Sequence, residues 1–338
     1  MPTDHALSLT DILAAQRVIR GQAGDTPLVP SPHMTAQAGQ DFLLKLENTQ
    51  PTGAFKLRGA LNALAALPAG AAGVVCCSTG NHGRAVAYAA RLRGIRAVVC
   101  MSGLVPEAKV AGIRALGAEV RIIGRSQDAA AVESRRLCNE EGLVEIPPFD
   151  DPQVIAGQGT IGVELLAARP DLTAILVPLS GGGLAAGVAL AAKSINPKIR
   201  LIGISMDRGA AMRESLAAGR PVMVTEHASL ADSLGGGIGL ENRLTFPLCR
   251  ELLDEVVLVS EEEIRDAMQA LYYEDRIVAE GASVVGLAAT LAGKVRLSGP
   301  AATIITGRNL DMATFTAIMA GQDVRIGDLV VKGKPYGA

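Results

Sequence analysis

The chain has 338 residues, no tryptophan, a formal charge of only −2 and no long apolar run. This nearly balanced charge offers no basic or acidic surface for a polyanion, so we expect no nucleic-acid partner. Apolar stretches such as 184–192 end well before the roughly 20 residues that cross a bilayer. The N-terminus also lacks a basic-then-apolar signal pattern. We therefore predict a cytoplasmic protein without a membrane span.

Cysteine is scarce, with five residues that show no CxxC spacing and no cluster with histidine. Cys76 and Cys77 are adjacent inside an apolar stretch. Neither a disulfide framework nor a zinc site is indicated, and small buried side chains are the better interpretation.

Short apolar runs alternate with amphipathic stretches along the chain, which predicts an α/β protein with parallel sheets covered by helices on both faces. The length favours two domains. Three prolines within 146–152 interrupt any helix or central strand, and we place a domain crossing there. The predicted strands are 73–78, 96–101, 119–123, 173–179, 199–205, 256–260 and 303–306, and the predicted helices are 84–93, 106–116, 126–141, 158–168, 184–194, 261–276 and 282–292.

Two motifs place polar groups at turns that lead into helices. In Glu47-Asn-Thr-Gln-Pro-Thr-Gly-Ala-Phe-Lys56, a lysine among small and apolar residues can be partly desolvated, which lowers its pKa and frees a nucleophilic amine. After the apolar run at 74–77, Ser78-Thr79-Gly80-Asn81-His82 offers backbone N–H groups and hydroxyls to a carboxylate or phenolate oxygen. Taken alone, the first motif is better interpreted as an exposed surface lysine and the second as an ordinary capped turn.

Two further motifs follow apolar strands. Ser180-Gly181-Gly182-Gly183-Leu184 is a glycine loop before a helix, typical of a phosphate site. It is also compatible with a loose dinucleotide fingerprint with Asp207 as the ribose acid, so a nicotinamide (NAD) dehydrogenase remains an alternative. Thr306 ends the last apolar strand, where ligands of parallel sheets bind.

Together these segments resemble the threonine/serine dehydratase and serine racemase branch of the fold type II pyridoxal-phosphate (PLP) enzymes. The segments Pro148–Glu164 and Ala279-Glu280-Gly281 resemble it as well. The resemblance implies a tryptophan synthase β-like fold with a large domain (1–52 and 149–338), a small mobile domain (53–148) and a homodimer. The chain stops soon after the last strand, so no C-terminal regulatory domain is expected.

The resemblance also implies roles for individual residues. Lys56 would bind the cofactor aldehyde through its amine and later act as acid and base. The other cofactor-binding positions would be Phe55, Asn81, Ser180, Gly181, Gly182, Gly183, Leu184, Glu280 and Thr306, with Asn81 at the phenolic oxygen and Thr306 at the pyridine nitrogen. The substrate would be held by Ser78, Thr79, Gly80, His82 and Arg308.

A hydroxyl at the pyridine nitrogen has a chemical consequence. Unlike a carboxylate, it does not hold that nitrogen protonated, so the ring is a weaker electron sink and expulsion of a β-leaving group is favoured. The resemblance therefore implies an ammonia-lyase that converts a small hydroxy amino acid of the threonine or serine type to a 2-oxo acid and ammonia.

Several positions depart from the family pattern. Ala54 and Ser180 replace the usual serine and glycine without removing a backbone donor. Thr79 stands where serine racemases carry a serine base, which makes an amino-acid racemase the weaker alternative. Ser205 stands where metal-activated members carry a glutamate, so we predict no metal there.

Arg308 is the remaining departure, because a small residue is usual beside the nitrogen-contacting hydroxyl. It is a candidate for recognition of a second acidic group, although arginine is usually exposed. The ending Thr306–Met312 resembles dehydratases of hydroxyectoine utilisation, which would shift the substrate toward hydroxyectoine or a hydroxylated diaminobutyrate. A non-catalytic PLP-binding protein is the last alternative.

Overall fold

The computed structural model describes residues 7–78, 80–103, 105, 107–124 and 127–337. Strands and helices alternate over most of this length. The strands are β1 (Leu28–Pro30), β2 (Phe42–Lys45), β3 (Val74–Cys77), β4 (Ala97–Met101), β5 (Glu119–Ile122), β6 (Val144–Glu145), β7 (Ala174–Pro178), β8 (Arg200–Met206), β9 (Glu255–Val259), β10 (Ala301–Ile304), β11 (Val324–Ile326) and β12 (Leu329–Val331).

The helices connect these strands and cover their faces. They are α1 (Leu9–Ile19), α2 (Pro32–Ala38), α3 (Lys56–Ala65), α4 (Asn81–Arg93), α5 (Glu107–Arg114), α6 (Gln127–Glu141), α7 (Pro152–Ala168), α8 (Gly183–Ile195), α9 (Ala211–Ala218), α10 (Thr245–Leu252), α11 (Glu261–Asp275), α12 (Val285–Leu291) and α13 (Met312–Met319). Among the described residues, no helix is long and apolar enough to cross a membrane.

Two sheets organise the fold. The larger has the order β1-β2-β10-β7-β8-β9 and is parallel except for the edge pair β1–β2. The smaller has the order β5-β4-β3-β6 and is entirely parallel. Strands β11 and β12 form a separate antiparallel hairpin. The predicted α/β class with two mainly parallel sheets is confirmed.

Both sheets are covered on both faces by separate apolar clusters. One cluster joins the large sheet to α11, α12 and α13, and another joins its opposite face to α7, α8 and α10. The small sheet packs on α3, α4 and α5 on one side and on α6 on the other. Continuous burial of strands such as β7 reflects this two-sided cover and explains their uninterrupted apolar sequences.

Each of the seven predicted strands is present, with shifts of one or two residues at the ends. The strand predicted at 303–306 is β10 at Ala301–Ile304, so Thr306 lies beyond its end. Two helices begin three or more residues earlier than predicted. Helix α7 begins at Pro152 because Asp151 caps it and proline is accepted at the first helical position, and α4 begins at Asn81.

Candidate active site

Lys56 opens helix α3, and its side chain is half-buried. The Nζ atom donates a hydrogen bond of 2.5 Å to the carbonyl oxygen of Pro148 and lies 5.4 Å from the centre of the Phe55 ring. Burial of the amine lowers the pKa of Lys56 to about 8. Roughly a tenth of this lysine is therefore neutral at pH 7, and the neutral amine is the form that attacks an aldehyde.

The turn before Lys56 is held against the segment that follows β10. Ala54 and Gly307 form an antiparallel bridge, and the backbone N–H of Phe55 donates to the carbonyl of Thr306 at 3.0 Å. The N–H of Arg308 donates to the carbonyl of Gly53 at 2.9 Å. These main-chain bonds place the start of α3 beside Thr306, although the two segments are far apart in the sequence.

Thr306 is buried, and its hydroxyl lies 2.9 Å from the hydroxyl of Ser283. Ser283 also donates to the carbonyl of Gly307 and accepts from the N–H of Gly307. The backbone beyond β10 is thus fixed by one buried serine. Sequence analysis did not single out Ser283, because an isolated serine two residues after Gly281 carries no signal of such a partner.

Asn81, Glu280 and Asn309 form a hydrogen-bonded network at the N-terminus of α4. The Nδ2 of Asn81 donates to Glu280 Oε1 at 2.8 Å, and the Nδ2 of Asn309 donates to Asn81 Oδ1 at 2.7 Å. Asn309 also donates from Nδ2 to the carbonyl of Thr52 at 2.9 Å and from its backbone N–H to Glu280 Oε2 at 3.1 Å. The direction in which Asn81 presents its amide is therefore set by its two neighbours.

Glu280 is only 4% exposed. Burial, followed by repulsion from Asp232, raises its pKa to about 7, although hydrogen bonds from Asn81, Asn309 and Ser233 oppose the shift. The carboxyl group is accordingly about half protonated at neutral pH. A Cβ on Gly307 would lie 2.8 Å from Glu280 Oε1, which explains why the residue after Thr306 is glycine.

The glycine loop lies between β7 and α8. Gly182 has a φ of +91°, which favours glycine, and α8 begins at Gly183. A Cβ on Gly181 would clash with the ring of Phe149, so the loop backbone is pressed against the segment after Pro148. The first N–H groups of a helix have no partner within the helix, so this loop is suited to bind a phosphate.

The predicted substrate loop connects β3 to α4. The N–H of Gly80 lies 3.4 Å from the hydroxyl of Ser78, and Thr79 is outside the described residues. His82 is buried, and its Nε2 lies 2.8 Å from the carbonyl of Ile146. Burial and the charge of Lys56 lower the pKa of His82 to about 3, so the ring is neutral and donates from Nε2 to this carbonyl.

Arg308 and Ser205, two further positions discussed from the sequence, differ in their surroundings. The side chain of Arg308 is exposed, and its contact with a substrate remains a prediction. Ser205 is buried on β8 with its hydroxyl 3.6 Å from Met206 Sδ. Within the ranges that the structure describes, no group of three or more His, Cys, Asp or Glu side chains is arranged for a metal ion.

Sequence analysis missed a buried ionic cluster directly behind the start of α3. Arg58 is fully buried and binds Glu47 at 2.7 Å and Glu164 at 2.6 Å. Lys45 binds the other oxygen of Glu164 at 2.6 Å. Two cations and two carboxylates balance, and together they connect α3 to β2 and α7. Removal of one member would leave a buried charge unpaired.

Comparison with known proteins identifies relatives of this chain. The family described as "Pyridoxal-phosphate dependent enzyme" matches residues 19–307. A Sinorhizobium fredii protein provisionally named a threonine dehydratase is 53% identical over 93% of this chain and 96% of its own length. The L-threonine ammonia-lyase of Geobacter sulfurreducens is 41% identical over 93% of this chain and 78% of its own.

Solved structures give the same result. Maize serine racemase superposes with a TM-score of 0.88 and 35% identity, covering 94% of this chain and 98% of its own. A threonine deaminase from T.th. superposes with a TM-score of 0.84 and 39% identity, covering 90% of this chain and 99% of its own.

Proposed function

The chain belongs to the pyridoxal-phosphate dependent enzymes, in the threonine/serine dehydratase branch, and from this premise we propose that it releases ammonia from L-threonine or L-serine at the site around Lys56. It is a PLP-dependent lyase of the threonine dehydratase type. The observation that carries the proposed site is the position of the desolvated Lys56 amine. It donates to the carbonyl of Pro148, and the glycine loop packs against the adjacent Phe149.

The residues present fit the cofactor. The amine of Lys56 would hold its aldehyde carbon, and the N–H groups of 180–184 would hold its phosphate. Asn81 would donate to the phenolic oxygen, and Thr306 would face the ring nitrogen. When bound, PLP supplies an electron sink that makes the Cα–H of an amino acid acidic.

The protein's own groups then perform three tasks. The loop 78–82 orients the substrate carboxylate at the N-terminus of α4. Lys56, with its pKa lowered to about 8, accepts the Cα proton near neutral pH. The network of Asn81, Glu280 and Asn309 keeps the amide of Asn81 in one orientation. Lys56 returns this proton to the departing β-hydroxyl, which leaves as water, and the enamine product hydrolyses to a 2-oxo acid and ammonia.

The test combines a spectrum with a substrate panel. The wild-type protein reconstituted with PLP should show a visible absorbance band, and Lys56→Ala should lack it. The control Lys193→Ala, in the last turn of α8, should retain the band. L-threonine, L-serine, threo-3-hydroxyaspartate and a hydroxyectoine-derived amino acid are then assayed for 2-oxo acid and ammonia. Absence of the band in the wild type would refute the assignment of Lys56.

A finer substrate assignment belongs to the same panel. The ending Thr306–Met312 and the exposed Arg308 favour, as a second candidate, a hydroxylated diaminobutyrate or hydroxyectoine. Release of 2-oxo acid from threonine and serine with none from the hydroxyectoine-derived compound would reject it. Formation of D-serine in the same reactions would revive the racemase alternative.

We also propose that residues 53–148 move as a small domain over the large one, that the protein is a homodimer and that it acts in the cytoplasm. The separate four-stranded sheet with its own apolar clusters supports the first point. The dimer and the location follow from the family resemblance. Light scattering in solution and fractionation of cells that produce the protein test them.

A further inference from the structure

Two cysteines meet on the face of the small sheet that packs against α6. Cys77 is the last residue of β3, and its register partner on the neighbouring strand β4 is Cys100. Register partners on parallel strands direct their side chains to the same face, and Cys100 is a buried member of the apolar cluster against which Cys77 packs. Cys76, one residue earlier, faces the opposite cluster.

The separation of the two strands suits a covalent bond between these cysteines. Neighbouring strands lie about 4.8 Å apart, within the roughly 4.4–6.8 Å that separates the Cα atoms of disulfide-bonded cysteines. The protonation state of each thiol also influences the pKa of the other. Disulfide-bonded cysteines most often have Cα atoms roughly 5.5–6 Å apart, so the bond needs a rotation of the side chains and a small separation of the strand ends.

The end of β3 has the freedom for that movement. Strand β6 pairs with β3 only at Val74 and Val75, so Cys77 extends beyond the last paired residue on that side. Cys77 is also partly exposed, whereas Cys100 is fully buried. An oxidant in solution therefore reaches Cys77 first, and Cys100 is already in place behind it.

The acidity of the two thiols, like their exposure, indicates that Cys77 reacts first. Interaction with the Cys100 thiol, together with the Ser134 hydroxyl and the charge of Arg135, lowers the pKa of Cys77 despite its partial burial. The interaction with Cys77 and burial raise the pKa of Cys100. Cys77 is consequently the thiol that forms the attacking thiolate.

We propose that Cys77 and Cys100 are a reversible redox pair that forms an intramolecular disulfide with a small-molecule disulfide as oxidant. The Cys77 thiolate attacks one sulfur of the oxidant, forms a mixed disulfide and expels a thiolate. Cys100 loses its proton, attacks the Cys77 sulfur and expels the second thiolate. The pair loses two electrons and two protons, and the oxidant is reduced to two thiols.

The position of the pair gives the oxidation a consequence for the site. Ser78 follows Cys77 directly, and the loop runs on through Gly80 to Asn81 at the start of α4. Moving the end of β3 away from β4 displaces the anchor of this loop, so oxidation should lower lyase activity. This consequence rests on the proposed function, whereas the thiol chemistry does not.

The test uses the full-length protein reconstituted with PLP and treated with oxidised glutathione, with intact mass and peptide mapping under non-reducing conditions. The wild type should lose two thiols, retain no glutathione and yield a peptide pair linked through Cys77 and Cys100. Cys100→Ser should instead retain one glutathione on Cys77, and Cys77→Ser should form no link. Cys138→Ser, which alters a neighbouring thiol on α6, should oxidise as the wild type does.

A wild type that keeps both thiols, or a link between Cys77 and Cys138, would overturn the proposal without requiring any variant to fold. Activity gives a separate reading: it should fall on oxidation and return with dithiothreitol, in the wild type but not in Cys77→Ser. A mapped disulfide with unchanged activity would refute the effect on the loop. If no substrate is turned over at all, the proposed function fails, and the mapping still decides the thiol pair.

Discussion

Replacement of Asn309 by alanine should weaken PLP binding without unfolding the protein. The side chain of Asn309 donates to Asn81 Oδ1 at 2.7 Å and to the carbonyl of Thr52 at 2.9 Å. Without it, Asn81 keeps only its bond to Glu280 and can rotate its amide away from the position that we assign to the phenolic oxygen. Asn309 is thus a positioning residue that acts through Asn81.

The size of the effect follows from the acceptor left without a donor. Leaving a buried acceptor unsatisfied costs about 1–3 kcal/mol. If the loss at Asn81 falls on the cofactor-bound state, the PLP dissociation constant rises roughly fivefold to 150-fold. The loss at Thr52 acts on the fold itself and should lower the free energy of unfolding of the protein without cofactor by a similar amount.

The assay is a fluorescence titration of the cofactor-free protein with PLP, accompanied by the absorbance spectrum and by urea denaturation. Asn309→Asp preserves the shape but removes both donors, so it should weaken PLP binding at least as much as alanine. Asn139→Ala, at an exposed position on α6, is the matched control and should bind PLP as the wild type does. Unchanged affinity in a folded Asn309→Ala would refute the positioning role.

Further predictions concern pH and the glycine loop. Capture of PLP by the cofactor-free protein requires the neutral amine of Lys56, so its rate should rise about tenfold per pH unit up to about pH 8 and then level off, as stopped-flow absorbance would show. A rate that climbs to pH 10 would contradict the lowered pKa. Glu280 has a folded pKa of about 7 against an ordinary value of 4.5, so its contribution to stability is complete below about pH 4.5 and is lost as the pH rises to about 7. In urea denaturation of the cofactor-free protein, the free energy of unfolding should fall by about 3 kcal/mol over this pH range, and Glu280→Gln should lack this fall. The same pH dependence in both proteins would contradict the raised pKa of Glu280. Gly181→Ala places a methyl group against Phe149 and should raise the PLP dissociation constant, and Gly181→Ala with Phe149→Ala should recover part of the affinity; no recovery would show that the clash is not the cause.

Local patterns were sufficient to predict the architecture. Strands such as β7 and β8 are continuously buried, and their apolar runs bounded by glycine and proline were found within one or two residues. The antiparallel edge strand β1 was missed because three residues, of which none is fully buried, give little periodicity. The start of α7 was placed too late, because Pro152 was interpreted as part of an interruption when it is the first residue of a capped helix.

In the candidate site too, some residues are predicted by local motifs and others are identified only by the fold. Lys56 and the glycine loop lie in contiguous motifs whose turn residues announce a helix start, and resemblance to a family assigned their roles. Glu280 was assigned by resemblance alone, and its raised pKa depends on burial and on Asp232, neither of which a linear pattern contains. The partners of Asn81 lie 199 and 228 residues away in the sequence, so only the assembled fold identifies them.

The long sequence separation between Asn309 and Asn81 explains why no local motif predicts that Asn309 positions Asn81. Asn309 follows the strand β10 of the large sheet, yet it binds Asn81 at the start of α4, the helix that follows strand β3 of the small sheet. A single amide therefore connects the two sheets at the point where the cofactor's ring is expected to lie. If the part of residues 53–148 that carries Asn81 moves while the start of α3 stays bridged to Gly307, the bond between Asn309 and Asn81 must lengthen or break. Loss of that bond should then uncouple cofactor binding from closure, so that Asn309→Ala loses PLP affinity while the main-chain bridge between Ala54 and Gly307 keeps Lys56 in place.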